Sequence, residues 1–532
     1  MSRTVLIGLD GATFTVLNSL FETGHMPFLR EFLARGAHAE LTSVVNRITP
    51  AAWTSMITGR TPGNHGVFDF IHCRQTSDGI FYTLNMSYDI RCPTLWSILS
   101  RRGMRVAALN FPVSYPPEPL NGVCIPGFVH WRHLKQAVYP PAFYEKMRAL
   151  PGFDAKFLSM DTNQEFQSIQ YLPDDEYESW ISYHIQREER WFDLVQLILT
   201  EDPPDFTAFI LDGVDKLQHL CWRFLDPALR PCNPKPWEER VLELCLTYFR
   251  QLDAFIRQIV ATAGSDSRIF IASDHGFGPT EVVFFANTWL AQKGYLSWKN
   301  DAKAAASDVT NIADQRIKFQ VEGIDWNRTS AFALNPSSNG IFIRRADGAG
   351  SPGISVEEYE DFRARLVKEL LALTDPYSNQ SFFSRVLTRE QAFPGDASAR
   401  APDITLVMKD YGFLSVINSD AVFRRRPAPW GTHYPEGIFV AGGVGIVPLG
   451  RMSALRIFDV APILLRSLGV AQDMEMEGRC PEDLFDENVV PPPQPGESEL
   501  GADMLQGRER NEDSEVQAEV QKRLRALGYL AQ

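Results

Sequence analysis

Cysteine is sparse in this 532-residue chain: there are seven, scattered at positions 73, 92, 124, 221, 232, 245 and 480. The number is odd and no two form a Cys-x-x-Cys pair, so neither a disulfide framework nor a thiolate zinc knot is expected. Long hydrophobic runs are lacking too, since nothing approaches the ~18 uncharged apolar residues that a membrane-spanning helix needs. The first apolar run begins by residue 4, leaving no room for a signal peptide, and the expected location is the reducing cytoplasm. Positive charge is in deficit: 52 Lys and Arg face 66 Asp and Glu, for a formal charge of -14. No basic stripe is present to neutralise the phosphates of a nucleic-acid duplex, although local cations could still meet a small anion. No internal repeat is visible.

What is present is a chain with 44% apolar and 22% charged residues, able to bury a large core as one main domain plus a smaller insertion. Thr4-Val5-Leu6-Ile7-Gly8-Leu9 is an apolar run that ends on Asp10-Gly11, and Arg268–Ser273 repeats the pattern, ending on Asp274-His275-Gly276. Each reads as a buried strand that delivers ligands to the edge of a sheet, where open α/β folds place their sites. Phe206–Leu211 is a third such strand, running into Asp212. Asp215 and His219 follow, four apart, so a helix would turn both to one side. His433 sits in the tight stretch Gly431-Thr432-His433 before another strand. Together these residues are enough hard and borderline ligands for two metal ions, which favours a metallohydrolase.

Plainer readings exist for each. Asp10 could cap the next helix, Asp274 could belong to an Asx turn, and Asp212 could cap the helix that carries Asp215. Thr49, in Thr49-Pro50-Ala51-Ala52-Trp53 leading into an expected helix, reads by itself first as a plain N-cap and only then as a nucleophile.

The strand and helix signals alternate through the first 135 residues, and further strands are expected at 437–441 and 445–447, with a sheet-packing helix over 456–465. The catalytic core is expected over 1–320 and 426–490, with a cap or smaller inserted lobe at 321–425 that includes an amphipathic helix over 356–373. A proline-rich linker opens at Pro491, and the 491–532 tail is expected to end in a short helix that docks on the body or on a second subunit of a homo-oligomer.

Taken together, Leu9-Asp10-Gly11, Ile48-Thr49-Pro50, Thr58-Gly59, Asn64-His65-Gly66, Asp215-x-x-x-His219, Ser273-Asp274-His275-Gly276 and Gly431-Thr432-His433 resemble the alkaline phosphatase superfamily, in its type I phosphodiesterase/nucleotide pyrophosphatase branch. The resemblance covers residues 4–70, 205–280 and 430–486. It implies an α/β sandwich with a large, mostly parallel central sheet flanked by helices. It assigns Asp215, His219 and His433 to one divalent ion, and Asp10, Asp274 and His275, with the Thr49 hydroxyl, to another about 4 Å away. Zinc suits these ligands, and manganese accepts the same ligand types. The formylglycine signature of sulfatases is absent.

The implied activity is hydrolysis of phosphodiester or pyrophosphate bonds in a small, nucleotide-like phosphorylated substrate through phosphothreonine at Thr49. The alternatives are a phosphomonoesterase or phosphotransferase of the same superfamily, and a metal-stabilised binding protein without turnover. One departure stands out: many nucleotide pyrophosphatases place an asparagine three residues after the threonine, where this chain has Ala52. Lys216, Asn110, Arg47 and Asn46 are the candidates to take over its contact with the substrate, Lys216 first because it adjoins two ligands.

Overall fold

The computed structural model describes residues 2–76, 79–159, 174, 176–299, 323–346, 348 and 351–493. Most of the proline-rich linker and the C-terminal helix expected over 491–532 lie outside these, as does the polar stretch 302–321.

Strands with unbroken apolar character belong in the middle of a sheet covered on both faces, because alternate side chains of each strand must both find cover. Thr4–Leu9 behaves this way. Val5, Ile7 and Leu9 join one buried cluster, with helices Phe14–Glu22, Tyr177–Glu201, Gly213–Leu225 and Pro236–Ala263. Leu6 points into the opposite cluster, with helices Thr49–Thr58, Leu95–Arg101 and Val460–Ser467. The sheet has nine strands, in the order Gly450–Arg451, Ala37–Thr42, Glu436–Gly443, Arg268–Ala272, Thr4–Leu9, Phe206–Leu211, Val106–Leu109, Gly122–Ile125, with Leu455–Arg456 also pairing with Ala37–Thr42. The five strands from Arg268–Ala272 to Gly122–Ile125 are parallel, whereas Glu436–Gly443 runs antiparallel to both its neighbours. The result is an α/β sandwich with a mixed, largely parallel central sheet.

Smaller sheets stand beside it. One is a four-stranded antiparallel sheet of Ala331–Phe332, Gly340–Ile343, Ile404–Met408 and Phe383–Thr388. A third buried cluster joins it to helix Tyr359–Leu371 and also takes in Phe284, Trp289, Leu290 and Leu296. Two-stranded ribbons pair Phe423–Tyr434 with Gly276–Phe284 and Ile71–Thr76 with Gly79–Leu84.

The strand expected at 445–447 does not form. Gly443 and Gly445 both have positive φ, which turns the chain, and Ile446 makes only an isolated bridge to Phe485. The 456–465 helix starts later than expected, at Val460, after a strand and a short 3₁₀ turn. Among the described residues no helix is long and apolar enough to cross a membrane.

Candidate metal centre

The ends of the parallel strands bring the expected ligands to one edge. Asp10 follows Thr4–Leu9, and Asp274 and His275 follow Arg268–Ala272. Asp215 and His219 lie on Gly213–Leu225, the helix that leaves Phe206–Leu211, and His433 lies on Phe423–Tyr434. Their ligand atoms form two groups, Asp215/His219/His433 and Asp10/Asp274/His275, each within 4.8 Å. The groups adjoin, because His275 Nε2 is 4.0 Å from Asp215 Oδ1 and the His275 and His433 rings stack at 3.6 Å.

Two glycines allow this closeness. Gly11 has φ +69°, and a Cβ there would meet the Phe277 ring at 2.7 Å; its amide donates to Asp274 Oδ1 at 3.2 Å. Gly431 passes so near the 213–225 helix that a Cβ would lie 2.1 Å from the Gln218 carbonyl.

Hydrogen bonds fix the tautomer of all three histidines. Nδ1 of His219, His433 and His275 faces the carbonyls of Gly431 (3.1 Å), Arg47 (2.7 Å) and Gly276 (3.1 Å). A carbonyl only accepts, so each Nδ1 carries the hydrogen and each Nε2 presents a lone pair to the site. His219 Nε2 and His433 Nε2 are 3.0 Å apart, and two lone pairs at that distance need a cation between them.

Asp10 Oδ1, Asp215 Oδ1, Asp274 Oδ2 and His275 Nε2 are among the buried side-chain atoms that have no hydrogen-bond partner, and these four face one another in the site. Unpaired acceptors at zero exposure are costly unless a cation meets them, so the donor set fits a pair of divalent ions. Burial, and then the neighbouring carboxylates, push Asp10 and Asp274 well above the usual carboxylate range. Burial also pushes Asp215 upward, but His219 and His433 outweigh it and hold its carboxyl well down. Burial lowers His275 and His433, keeping both imidazoles neutral and able to ligate. With two divalent cations bound, the three carboxylates would be ionised, -3 against +4, leaving the centre attractive to an anion.

Asp10 does not cap the next helix, because Thr13 does so, accepting from the Thr15 amide at 3.4 Å. Thr49 is not a cap either. It is the first residue of helix Thr49–Thr58, after the cap residue Ile48, with Pro50 in the first turn and left-handed Gly59 at the end. Every residue of this helix is buried, and Thr54, Ser55 and Thr58 satisfy their hydroxyls on carbonyls four residues back. Two contacts bracket Thr49. The Arg47 carbonyl accepts from His433, and Trp53, one turn after Thr49 on the same face, donates from Nε1 to Asp10 Oδ2 at 3.3 Å.

His65, from the Asn64-His65-Gly66 motif, is a brace outside both ligand groups. Its Nδ1 accepts from the Val67 amide, so Nε2 donates to Ser55 Oγ at 2.9 Å, and burial lowers its pKa to about 3.

The four candidate substrate contacts differ in setting. Lys216 lies 3.6 Å from Asp215 Oδ2 and over the Phe128 ring. Asn46 donates to the Phe68 carbonyl at 3.3 Å. Asn110 is fully buried and donates to the Ile210 carbonyl (2.9 Å) and to Asp212 (3.4 Å). Arg47 is buried, with its guanidinium stacked on Tyr411 at 4.4 Å.

Sequence reading passed over Trp53, although its i+4 spacing from Thr49 was visible. It also passed over the loop carrying Tyr411 and Phe413, whose Phe413 ring meets His433 edge-on at 5.1 Å and which no local signal marks.

Comparison with known proteins agrees with this geometry. The family model for type I phosphodiesterase/nucleotide pyrophosphatase matches residues 4–420. No curated protein matches the sequence. Among solved structures, murine ectonucleotide pyrophosphatase/phosphodiesterase 5 is 12% identical, covering 91% of this chain and 100% of its own, with a TM-score of 0.52. An inactive form of it in complex with AMP has a TM-score of 0.51, with 12% identity over 92% of this chain and 99% of that one. Phosphonoacetate hydrolase from Sinorhizobium meliloti 1021, in complex with phosphonoacetate, is 18% identical over 88% of this chain and 96% of its own, with a TM-score of 0.51. At these identities the structures establish a shared fold. The family match and the two ligand groups make the chain a metal-dependent hydrolase of the alkaline phosphatase superfamily, and it belongs to the type I phosphodiesterase/nucleotide pyrophosphatase family.

Proposed function

We propose that the protein hydrolyses phosphodiester or pyrophosphate bonds of a small phosphorylated substrate, with Thr49 as the nucleophile. The observation that carries this reading is the bracketing of Thr49: the chain two residues before it is tied to His433, and Trp53 one turn after it is tied to Asp10. In this reading the two ties hold the Thr49 hydroxyl toward the ligand groups. That the murine relative is named as a pyrophosphatase/phosphodiesterase and has an AMP complex supports the substrate class.

Asp215, His219 and His433 would hold one cation, and Asp10, Asp274 and His275 the other; zinc is our assignment, since three imidazoles and three carboxylates suit it. When bound, the cations supply charge neutralisation at the attacking and leaving oxygens. The chain does the rest. Thr49 Oγ bonds to phosphorus as the bond to the leaving oxygen breaks, and the hydroxyl proton passes through solvent to the departing group. Water then attacks the phosphothreonine, phosphorus parts from Oγ, and Thr49 regains its proton. Lys216, beside Asp215, and the buried Arg47 are our candidate cations for the anion, ahead of Asn46 and Asn110, whose amides donate to backbone carbonyls. The seven free cysteines suit a reducing cytoplasm.

The test is acid quench of enzyme mixed with bis-p-nitrophenyl phosphate, followed by peptide mapping. The phosphate should map to Thr49, Thr49→Ala should lose at least about 10²-fold in kcat with its metal retained, and Thr49→Ser should keep measurable turnover. An adduct on Thr54 or Ser55, or wild-type kcat in Thr49→Ala, refutes the assignment. Faster turnover of p-nitrophenyl phosphate than of the diester would make the protein a phosphomonoesterase.

A further inference from the structure

Asp69 and Asn85 line one small cavity, together with Asn335, Ser338, His72 and Arg400. It lies between the Ile71–Thr76/Gly79–Leu84 ribbon and the four-stranded sheet, and its volume of about 20 Å³ admits a single occupant the size of a water molecule. None of these residues belongs to the two ligand groups.

Both Asp69 and Asn85 are buried, at 3% and 9% exposure. The Asp69 carboxylate accepts from Asn335 Nδ2 at 2.7 Å, from the Ser337 hydroxyl at 2.9 Å and from the Phe70 amide at 2.6 Å. All three donors are neutral, and among the described residues no Lys, Arg or His pairs with it. Burial pushes the carboxyl up to about 6, so in mildly alkaline solution it is a buried negative charge without a counter-ion. Asn85 is oriented by its neighbour. Its Nδ2 donates to the Asp69 carbonyl at 2.6 Å, which leaves Oδ1 as the free atom of the amide, buried and without a hydrogen-bond partner. Arg400 also lines the cavity, but its guanidinium is engaged elsewhere, donating to Asp89 Oδ1 at 3.1 Å and to His72 Nε2 at 3.4 Å.

We propose that Asp69 and Asn85 bind a monovalent cation of potassium size in this cavity. A water molecule would satisfy the amide oxygen and leave the carboxylate charge unanswered, whereas a cation answers both. One carboxylate and one neutral amide oxygen match a single positive charge. Calcium asks for about six to eight oxygens, more than these side chains supply.

The test compares the metal-loaded protein in potassium chloride and in tetramethylammonium chloride, at equal ionic strength and about pH 8; tetramethylammonium is too large for the cavity. Potassium should raise Tm saturably, by about 2 °C or more, and the difference should vanish in Asp69→Asn. Crystals of the wild-type, metal-loaded protein soaked in thallous acetate should show an anomalous peak between Asp69 and Asn85, and this arm decides the matter if the variant does not fold. Equal Tm in the two salts overturns the inference. So does a potassium effect that persists unchanged in Asp69→Asn, or a cavity that holds water and no thallium.

Discussion

Trp53 offers the sharpest separation of packing from ligand control. Its ring is fully buried and meets Phe111 edge-on at 5.7 Å, and its Nε1 is the recorded donor to Asp10 Oδ2. Trp53→Phe keeps an aromatic ring and removes that donor. Losing a hydrogen bond to a charged group costs about 1.5–3 kcal/mol. The smaller ring leaves roughly 40 Å³ unfilled, worth about 1 kcal/mol at ~24 cal/mol per Å³. The expected loss of stability is therefore about 2.5–4 kcal/mol. Asp10 would also lose its orientation, and removing such a partner of a ligand typically costs about 10–100-fold in metal affinity. Met56→Ala is the control: Met56 is equally buried in the same helix, and its truncation costs about 2–5 kcal/mol without touching a ligand. Urea denaturation of metal-free protein measures the first effect, and competition with a fluorescent chelator measures the second. Wild-type metal affinity in Trp53→Phe, or an equal loss in Met56→Ala, refutes the reasoning.

Chelation should abolish hydrolysis and lower Tm, since an ion held at 100 times its Kd contributes about 2.7 kcal/mol per site; elemental analysis of active protein should find about two ions per chain, and full activity without metal would contradict the centre. Burial raises the Asp69 pKa to about 6, opposed by Asn335, the Phe70 amide and Ser337. Because the folded value is the higher one, this contribution to stability is complete below the unfolded pKa and is lost as pH rises through about 6, by about 3 kcal/mol in the limit. Asp69→Asn should flatten the pH dependence of the urea midpoint between about pH 4 and 7, and an unchanged slope would refute the attribution. Thiol titration of denatured, unreduced protein should find all seven thiols, and a count of five or fewer would reveal a disulfide.

Five of the six candidate ligands were legible because each is tied to a local signal. Asp10, Asp274 and His275 follow unbroken apolar runs, which can only be central strands, and parallel neighbours deliver their ends to one edge. Asp215 and His219 needed only the helical period. His433 carried little signal by itself, because its place depends on an antiparallel pairing with Gly276–Phe284 that spans some 150 residues. The wall of Tyr411 and Phe413 was hidden for the same reason. The false strand at 445–447 shows the opposite error: a short apolar pattern was overruled by Gly443 and Gly445, whose positive φ turns the chain.

Asp212 marks the limit of local reading most clearly. At the end of a strand and the start of a helix it has every appearance of a side-chain cap, yet it makes no capping hydrogen bond. Its carboxylate pairs with Arg187, buried like itself, and Glu188 Oε1 accepts from the Gly213 amide at 2.7 Å. A Cβ on Gly213 would lie 2.6 Å from the Tyr248 hydroxyl and 2.8 Å from Glu188 Oε1, so the helix start is fitted against two other helices. The helix that presents Asp215 and His219 is thus anchored by residues 25 positions earlier in the chain. Removing one partner of such a buried pair costs about 3–5 kcal/mol, because the other charge is left unpaired. The ligand spacing could be read in a window of five residues, but the clamp that holds it depends on how two helices pack across the same face of the sheet.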